Sequence, residues 1–208
     1  MKTESFRAPS RFLIYLIILT HVLTGCATTS SGSLKTGPQL ASAQEQNKEI
    51  PYQGVKLDVI IPVFSPGLSA SAAEYEEEGI WPELRRAEAN RFAYKLKTAL
   101  DESGKFGAVR VAPNSTTSGD LFAVGEIIES NGQELEFSLR VVDASGKQWL
   151  NETIDHEVGE GFYKNPRNDG KDPYDPAFDK AAQAIIEALL KQKQSELAQL
   201  QNINDLRF

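Results

Sequence analysis

The chain has 208 residues, a formal net charge of −7, and 40% hydrophobic against 25% charged side chains. That balance supports one packed core and argues against a basic, nucleic-acid-binding face. One cysteine in the whole chain excludes a disulfide framework and a thiolate metal cluster.

Lys2, Arg7 and Arg11 give the N-terminus a positive start, partly offset by Glu4, and residues 12–19 (FLIYLIIL) follow as an apolar run. A transmembrane helix needs about 20 apolar residues, and Thr20, His21 and Thr24 interrupt this run too early. Leu23, Thr24, Gly25 and Cys26 come next, and together they resemble a bacterial lipobox. The resemblance implies that 1–25 is a lipoprotein signal peptide cleaved before Cys26. It also implies a diacylglyceryl thioether and an N-acyl chain on that cysteine, with anchoring worth about 0.8 kcal/mol per buried methylene. Ala27 follows, not Asp, which by resemblance to enterobacterial sorting implies the periplasmic face of the outer membrane. The alternatives are an ordinary secretory signal with a chance cysteine, or an uncleaved anchor. Three of the 22 basic and one of the 29 acidic residues fall in 1–25, so the remainder carries −9. Such a surface adheres poorly to anionic lipid, which leaves membrane attachment to Cys26.

Residues 26–50 are rich in Ser, Thr, Gly, Gln and Ala, a composition that cannot repay ordering entropy and predicts a flexible tether. A folded domain is expected over 51–192. Val55, Leu57, Val59, Ile61 and Val63 alternate as in a strand, and Pro62 marks its end. Pro82 and Glu83 open a helix whose one face carries Phe92, Ala93, Leu96, Ala99 and Leu100, with Gly104 as the cap beyond it. Phe106 and residues 108–112 make a short second strand, so the three elements form a βαβ unit with parallel strands.

Residues 120–129 are apolar on both faces, as in a strand covered on two sides. Asn131-Gly132 predicts a type I′ hairpin, and Leu135, Phe137, Leu139 and Val141 share one face of the next strand. A turn at 143–146 leads to a strand with Trp149, Leu150 and Ile154, completing an antiparallel meander. Residues 159–176 are too rich in Gly, Pro and Asp for regular structure. Asp175 and Pro176 read as the N-cap and first residue of a helix with Phe178, Ala182, Ile185 and Leu189 inward. The segment 193–208 is expected to be a polar helical tail, either a solvated, frayed helix or a docking segment. The fold class is therefore α/β (α+β), in the order β-α-β-β-β-α, with a mixed sheet and a C-terminal helix.

The phrases DVIIPVF, ANRFAYKLKTALDESGKFGAVRV, DLFAVGEII, LEFSLRVVDASGKQWL and FDKAAQAIIEALL stand in the order of a known group. Over about residues 55–191 the chain resembles the amino-terminal domain of TolB and related envelope modules. These include the globular part of the curli secretion lipoprotein and the lipoprotein activators of penicillin-binding proteins. The resemblance implies a binding module and transfers no catalytic motif. It also transfers no pore, since no spare pair of alternating ten-residue segments exists for membrane hairpins.

Candidate sites are few. His156 is the only histidine after residue 25, and no nucleophile elbow, zinc-protease helix or phosphate loop is present. Asn168, Asp169, Asp172 and Asp175 lack the spacing of a calcium loop. No catalytic residue, cofactor or metal is expected. Phe162, Tyr163, Arg167 and Tyr174 in the long loop have the make-up of a partner-binding surface, although Phe162 and Trp149 also suit a satellite core, and Tyr163 and Tyr174 suit either role. The expected function is a non-enzymatic, lipid-anchored adaptor for another envelope protein in assembly, secretion or cell-wall regulation. The alternatives are a self-associating structural subunit, pairing through its sheet edge or terminal helix, and a carboxylate-based hydrolase.

Overall fold

The computed structural model describes residues 52–69, 75 and 79–205. The lipobox residues Leu23, Thr24, Gly25 and Cys26 and the segment 26–50 lie outside them, as do residues 206–208. Among the described residues five strands form one mixed sheet, in the order β2-β1-β3-β4-β5.

Strand β1 (Val59–Pro62) is buried throughout and pairs in parallel with β2 (Val109–Ala112) and β3 (Leu121–Ser130). Helix α1 (Pro82–Glu102) crosses between β1 and β2, with Arg85, Ala89, Phe92, Ala93, Leu96 and Leu100 buried along one stripe. Pro82 opens it, because proline's missing N–H is no loss at a first helical position. The helix stops at Ser103, and Gly104 follows at φ +62°, the left-handed conformation that ends a helix and costs glycine little. Strands β4 (Glu134–Asp143) and β5 (Gln148–Glu157) complete the antiparallel meander, with bulges at Ile127/Glu129 and Val141/Val142. The expected mixed sheet and its elements are the observed ones.

Four details differ from the sequence reading. First, β3 is packed on one face only. Leu121, Ala123 and Ile127 face the helices and are buried, while Phe122 and Val124 are half-exposed and Ile128 is 48% exposed. Second, the β3–β4 hairpin is not type I′, because Asn131 does not take a positive φ. Its side-chain oxygen instead accepts the Gln133 and Glu134 N–H groups at 2.9 and 2.8 Å, and only Gly132 is left-handed, at φ +90°. Third, helix α2 (Asp175–Leu190) begins at Asp175, with Tyr174 flanking it and making no side-chain cap. The Asp175 carboxylate is engaged by Lys95 at 2.6 Å, which competes with capping.

Fourth, the terminal segment is not a solvated tail. Helix α3 (Gln194–Asp205) buries Leu197 completely and Leu200 nearly so, and both belong to the main core. Its polar side chains tie down the other end of the domain. Gln194 Oε1 accepts the Val55 N–H at 2.9 Å, and Gln201 Nε2 donates to the Lys56 carbonyl at 2.8 Å. The boundary expected at 192 therefore falls inside the folded unit.

An aromatic row holds the layers together. Phe64, Phe137, Phe178, Phe92 and Tyr174 are in ring contact in that order, with centroids 5.3–6.0 Å apart. The row links the sheet to α2, α1 and the loop before α2. Each such ring contributes about 1.5–3 kcal/mol through burial. Gly125 makes room for it, since a Cβ there would lie 2.4 Å from the Phe64 ring. No helix among the described residues is long and apolar enough to cross a membrane.

Candidate functional site

The loop between β5 and α2 is pinned at both ends. Near its exit, Asp172 is almost wholly buried and receives Arg91 and, at 3.1 Å, Lys95, both from α1. Burial pushes the Asp172 carboxyl up, but the Tyr174 N–H, the Lys95 ammonium and the Arg91 guanidinium outweigh it and hold the carboxyl below its ordinary range. Burial likewise pulls Lys95 down, and its bonds to Asp175 and Asp172 reverse this and raise it. These four residues clasp α1 to the loop and the start of α2.

Tyr174 completes the closure. It is only 6% exposed, packs edge-on against Phe92, and its hydroxyl accepts the Gly132 N–H at 2.7 Å while donating to the Glu134 carbonyl at 3.2 Å. Burial pushes its phenol pKa up. Tyr174 is therefore a core residue, which corrects its assignment to the partner surface. Phe162 is half-buried and packs against the core, in edge contact with Tyr163 at 5.4 Å.

Tyr163 remains at the surface. It is 65% exposed, yet its hydroxyl donates to the Gly132 carbonyl at 2.6 Å, so the ring is displayed in a fixed position. Lys164 and Lys171 line a hollow with it, Arg167 is exposed in the same loop, and none of the three forms an ion pair among the described residues. Arg167 begins from a short 3-10 turn (Pro166–Asn168) whose flanking Asn165 accepts the Arg167 N–H at 3.1 Å. Of the four loop residues chosen from sequence, Tyr163 and Arg167 are each exposed, Phe162 is half-buried against the Tyr163 ring, and Tyr174 is interior.

The sequence reading missed the other wall. Trp81, 75% exposed, and Leu84, 55% exposed, stand at the start of α1 and line a groove of about 550 Å³ with Arg85, Ser130, Gly132 and Pro173. A signal for them existed: Leu84 falls off the buried stripe set by Arg85, Ala89 and Phe92, and Trp81 precedes the helix altogether. Arg85 is buried and pairs with Glu88 at 3.7 Å while reaching the Ile128 carbonyl at 3.5 Å.

The remaining candidates are engaged elsewhere. His156 Nε2 lies 3.0 Å from the Pro173 carbonyl, and its neighbour Asp155 pairs with Lys180 at 2.9 Å. Trp149 is half-buried and donates its indole N–H to Asp143 at 2.8 Å. Among the described residues no three His, Cys, Asp or Glu side chains gather so as to hold a metal ion.

Comparison with known proteins adds a distant neighbour. No family model and no curated protein matches the chain. One matching solved structure is that of the hypothetical protein CT253 from Chlamydia trachomatis, at 14% identity and a TM-score of 0.37. The similarity covers 64% of this chain and 96% of that one.

Proposed function

We propose that the chain is a non-enzymatic, lipid-anchored periplasmic binding module that docks onto another envelope protein in assembly, secretion or cell-wall regulation. The lipobox-like run Leu23, Thr24, Gly25 and Cys26 supports the anchor, and the likeness of residues 55–191 to TolB-type envelope modules supports the adaptor role. One observation carries the binding half: Tyr163 is exposed but fixed to Gly132, and it lines one hollow with Lys164 and Lys171, which have no carboxylate partner among the described residues. Aromatic and arginine side chains on a scaffolded loop are the usual anchors of a protein interface.

Self-association through the β5 edge is the weaker reading. Lys180 Nζ donates to the Asp155 carbonyl at 3.2 Å, and Glu152, Asp155 and Glu157 crowd the same strand. A second copy laid antiparallel would meet that lysine and its own like charges.

The experiment is photo-crosslinking in intact cells from a benzoylphenylalanine placed at position 163, with position 148 at the far end of β5 as control. A discrete adduct with one envelope protein from position 163 alone is expected. Adducts equal at both positions, or absent from both, would count against the docking surface. Separately, Cys26→Ser should leave unprocessed precursor and empty the membrane fraction of mature protein.

A further inference from the structure

The Trp81 groove adjoins a second hollow, of about 230 Å³, and Glu129 lines both. Glu134, Glu136, Asp155 and Glu157 line the hollow as well. Strand register sets these carboxylates against one another: Glu129 lies opposite Glu136, Glu136 opposite Asp155, and Glu134 opposite Glu157. We propose that the groove and this hollow together dock a basic peptide segment of a partner protein, one that carries a large apolar side chain among its lysines or arginines. Tyr163, Lys164 and Lys171 line neither cavity, so this surface is additional to the one proposed above.

Charge over the combined surface does not cancel. The lysines and arginines lining it are Arg85 and Arg91 alone, and they pair with Glu88 and Asp172. Lys180 reaches in from α2 and pairs with Asp155. Glu129, Glu134, Glu136 and Glu157 then have no ion pair among the described residues. The sequence before the groove adds nothing basic: no lysine or arginine stands between Lys56 and Arg85, and Glu76, Glu77 and Glu78 directly precede Gly79. Like charges directly opposite one another on a sheet are destabilising. The free domain bears that cost, and a cationic partner removes it.

The spread of the charge selects a peptide over a single ion. Among the described residues no three His, Cys, Asp or Glu side chains gather so as to hold a metal ion. The carboxylates are distributed over β3, β4 and β5, which several cations on one segment can match. Lys180 shows how a lysine seats there, with Nζ 2.9 Å from the Asp155 carboxylate and 3.2 Å from its carbonyl. A second copy of the chain, itself at net −7, has the wrong charge. At the groove end, Trp81 and Leu84 are exposed in a concavity that an inserted apolar side chain fills. The Trp81 ring face also suits a cation.

The test uses the full chain in phosphatidylcholine nanodiscs and three fluorescein-labelled ten-residue peptides, read by anisotropy against empty discs. One alternates Lys with Ser and carries two Leu in place of Ser, one replaces its Lys by Glu, and one replaces its Leu by Ser. The Lys–Leu peptide should bind at least tenfold tighter than either control. Combined Glu129→Gln, Glu136→Gln and Glu157→Gln should weaken it at least tenfold, and the variant should melt no lower than wild type because opposed like charges are removed. Trp81→Ser with Leu84→Ser, both at exposed positions, should also weaken it at least tenfold. Glu102→Gln, Glu160→Gln and Glu187→Gln change the net charge equally but line neither cavity, and they should leave binding unchanged. Equal binding of the Glu-bearing peptide, indifference to the Glu129 triple, or equal loss from the Glu102 triple overturns the proposal. A Lys–Ser peptide that binds as tightly as Lys–Leu reduces the surface to a general attraction for cations and overturns it too. Displacement of the peptide by calcium at constant ionic strength assigns the carboxylates to a metal ion, with the same consequence.

Discussion

Tyr174 and Gly132 close the domain at the hairpin end, through a 2.7 Å bond from the Gly132 N–H to the Tyr174 hydroxyl. The residue pair joins the loop before α2 to the tip of the β3–β4 turn, while the ring of Tyr174 extends the aromatic row. Gly132 then offers its carbonyl to Tyr163, so one glycine serves an interior tyrosine and a displayed one.

Tyr174→Phe should cost about 1–2 kcal/mol, because the Gly132 N–H and Glu134 carbonyl lose a partner at a partly buried site. Tyr174→Ala should cost about 3–5 kcal/mol, as for other large aromatic truncations in a core. Tyr163→Ala should stay within about 1 kcal/mol of wild type, since its ring is exposed. Urea denaturation reads all three, and equal losses at 163 and 174 would contradict the interior placement of Tyr174. The raised phenol pKa adds a pH signature. Stability from Tyr174 is fully present below the ordinary tyrosine value near 10 and is lost as pH rises through the higher folded value.

The clasp predicts acid sensitivity. Asp172 has a lowered carboxyl pKa, so its contribution is present above the ordinary aspartate value and disappears as pH falls through the lower folded one. Asp172→Asn should remove about 1–2 kcal/mol at pH 7, a modest amount because Arg91 is more than half exposed and solvent-screened. The variant should also lose part of the stability decline of the wild type below pH 4. A thermal melt series from pH 2.5 to 7 checks this, and parallel curves for the two proteins would contradict it.

One-sided packing of β3 predicts a sharp asymmetry. Ile127→Lys places a charge among fully buried neighbours and should cost several kcal/mol. Val124→Lys lies on the open face, near Arg140 in register, and should cost less than about 2 kcal/mol. Comparable midpoints in guanidinium would mean that both faces are covered.

Leu197→Ala should destabilise by about 2–4 kcal/mol, because the side chain is fully buried under α3. Ile203→Ala, on the exposed side of the same helix, should be close to neutral. Hydrogen exchange gives a second measure: amides of Gln194–Asp205 should be protected in wild type and released by Leu197→Ala.

The strands and helices were legible because their periods were: the 85–100 stripe of α1 and the 135–141 alternation of β4 point to one core without ambiguity. The second face of β3 misled because Phe122, Val124 and Ile128 are apolar, and composition cannot say whether another layer exists to cover them. Leu197 and Leu200 sit among Lys, Gln and Glu, so 193–208 reads as a polar tail, yet two leucines three apart suffice to bring the helix into the core. Tyr174 and Tyr163 have the same chemistry and lie in one loop, and only the chain path around Gly132 separates them. Trp81 was overlooked because exposure of a tryptophan is a property of the folded surface.

The bonds from Gln194 and Gln201 to Val55 and Lys56 fix where the chain joins the domain. That junction lies beside the Asp143 turn, because Leu121 aligns with both Val59 and Asp143, whereas Tyr163 meets the hairpin before Glu134. The ten residues of β4 separate the two places by roughly 30 Å at about 3.3 Å each. Tension applied to the chain ahead of Tyr52 would thus load β1 and α3 and leave the Tyr163 end slack.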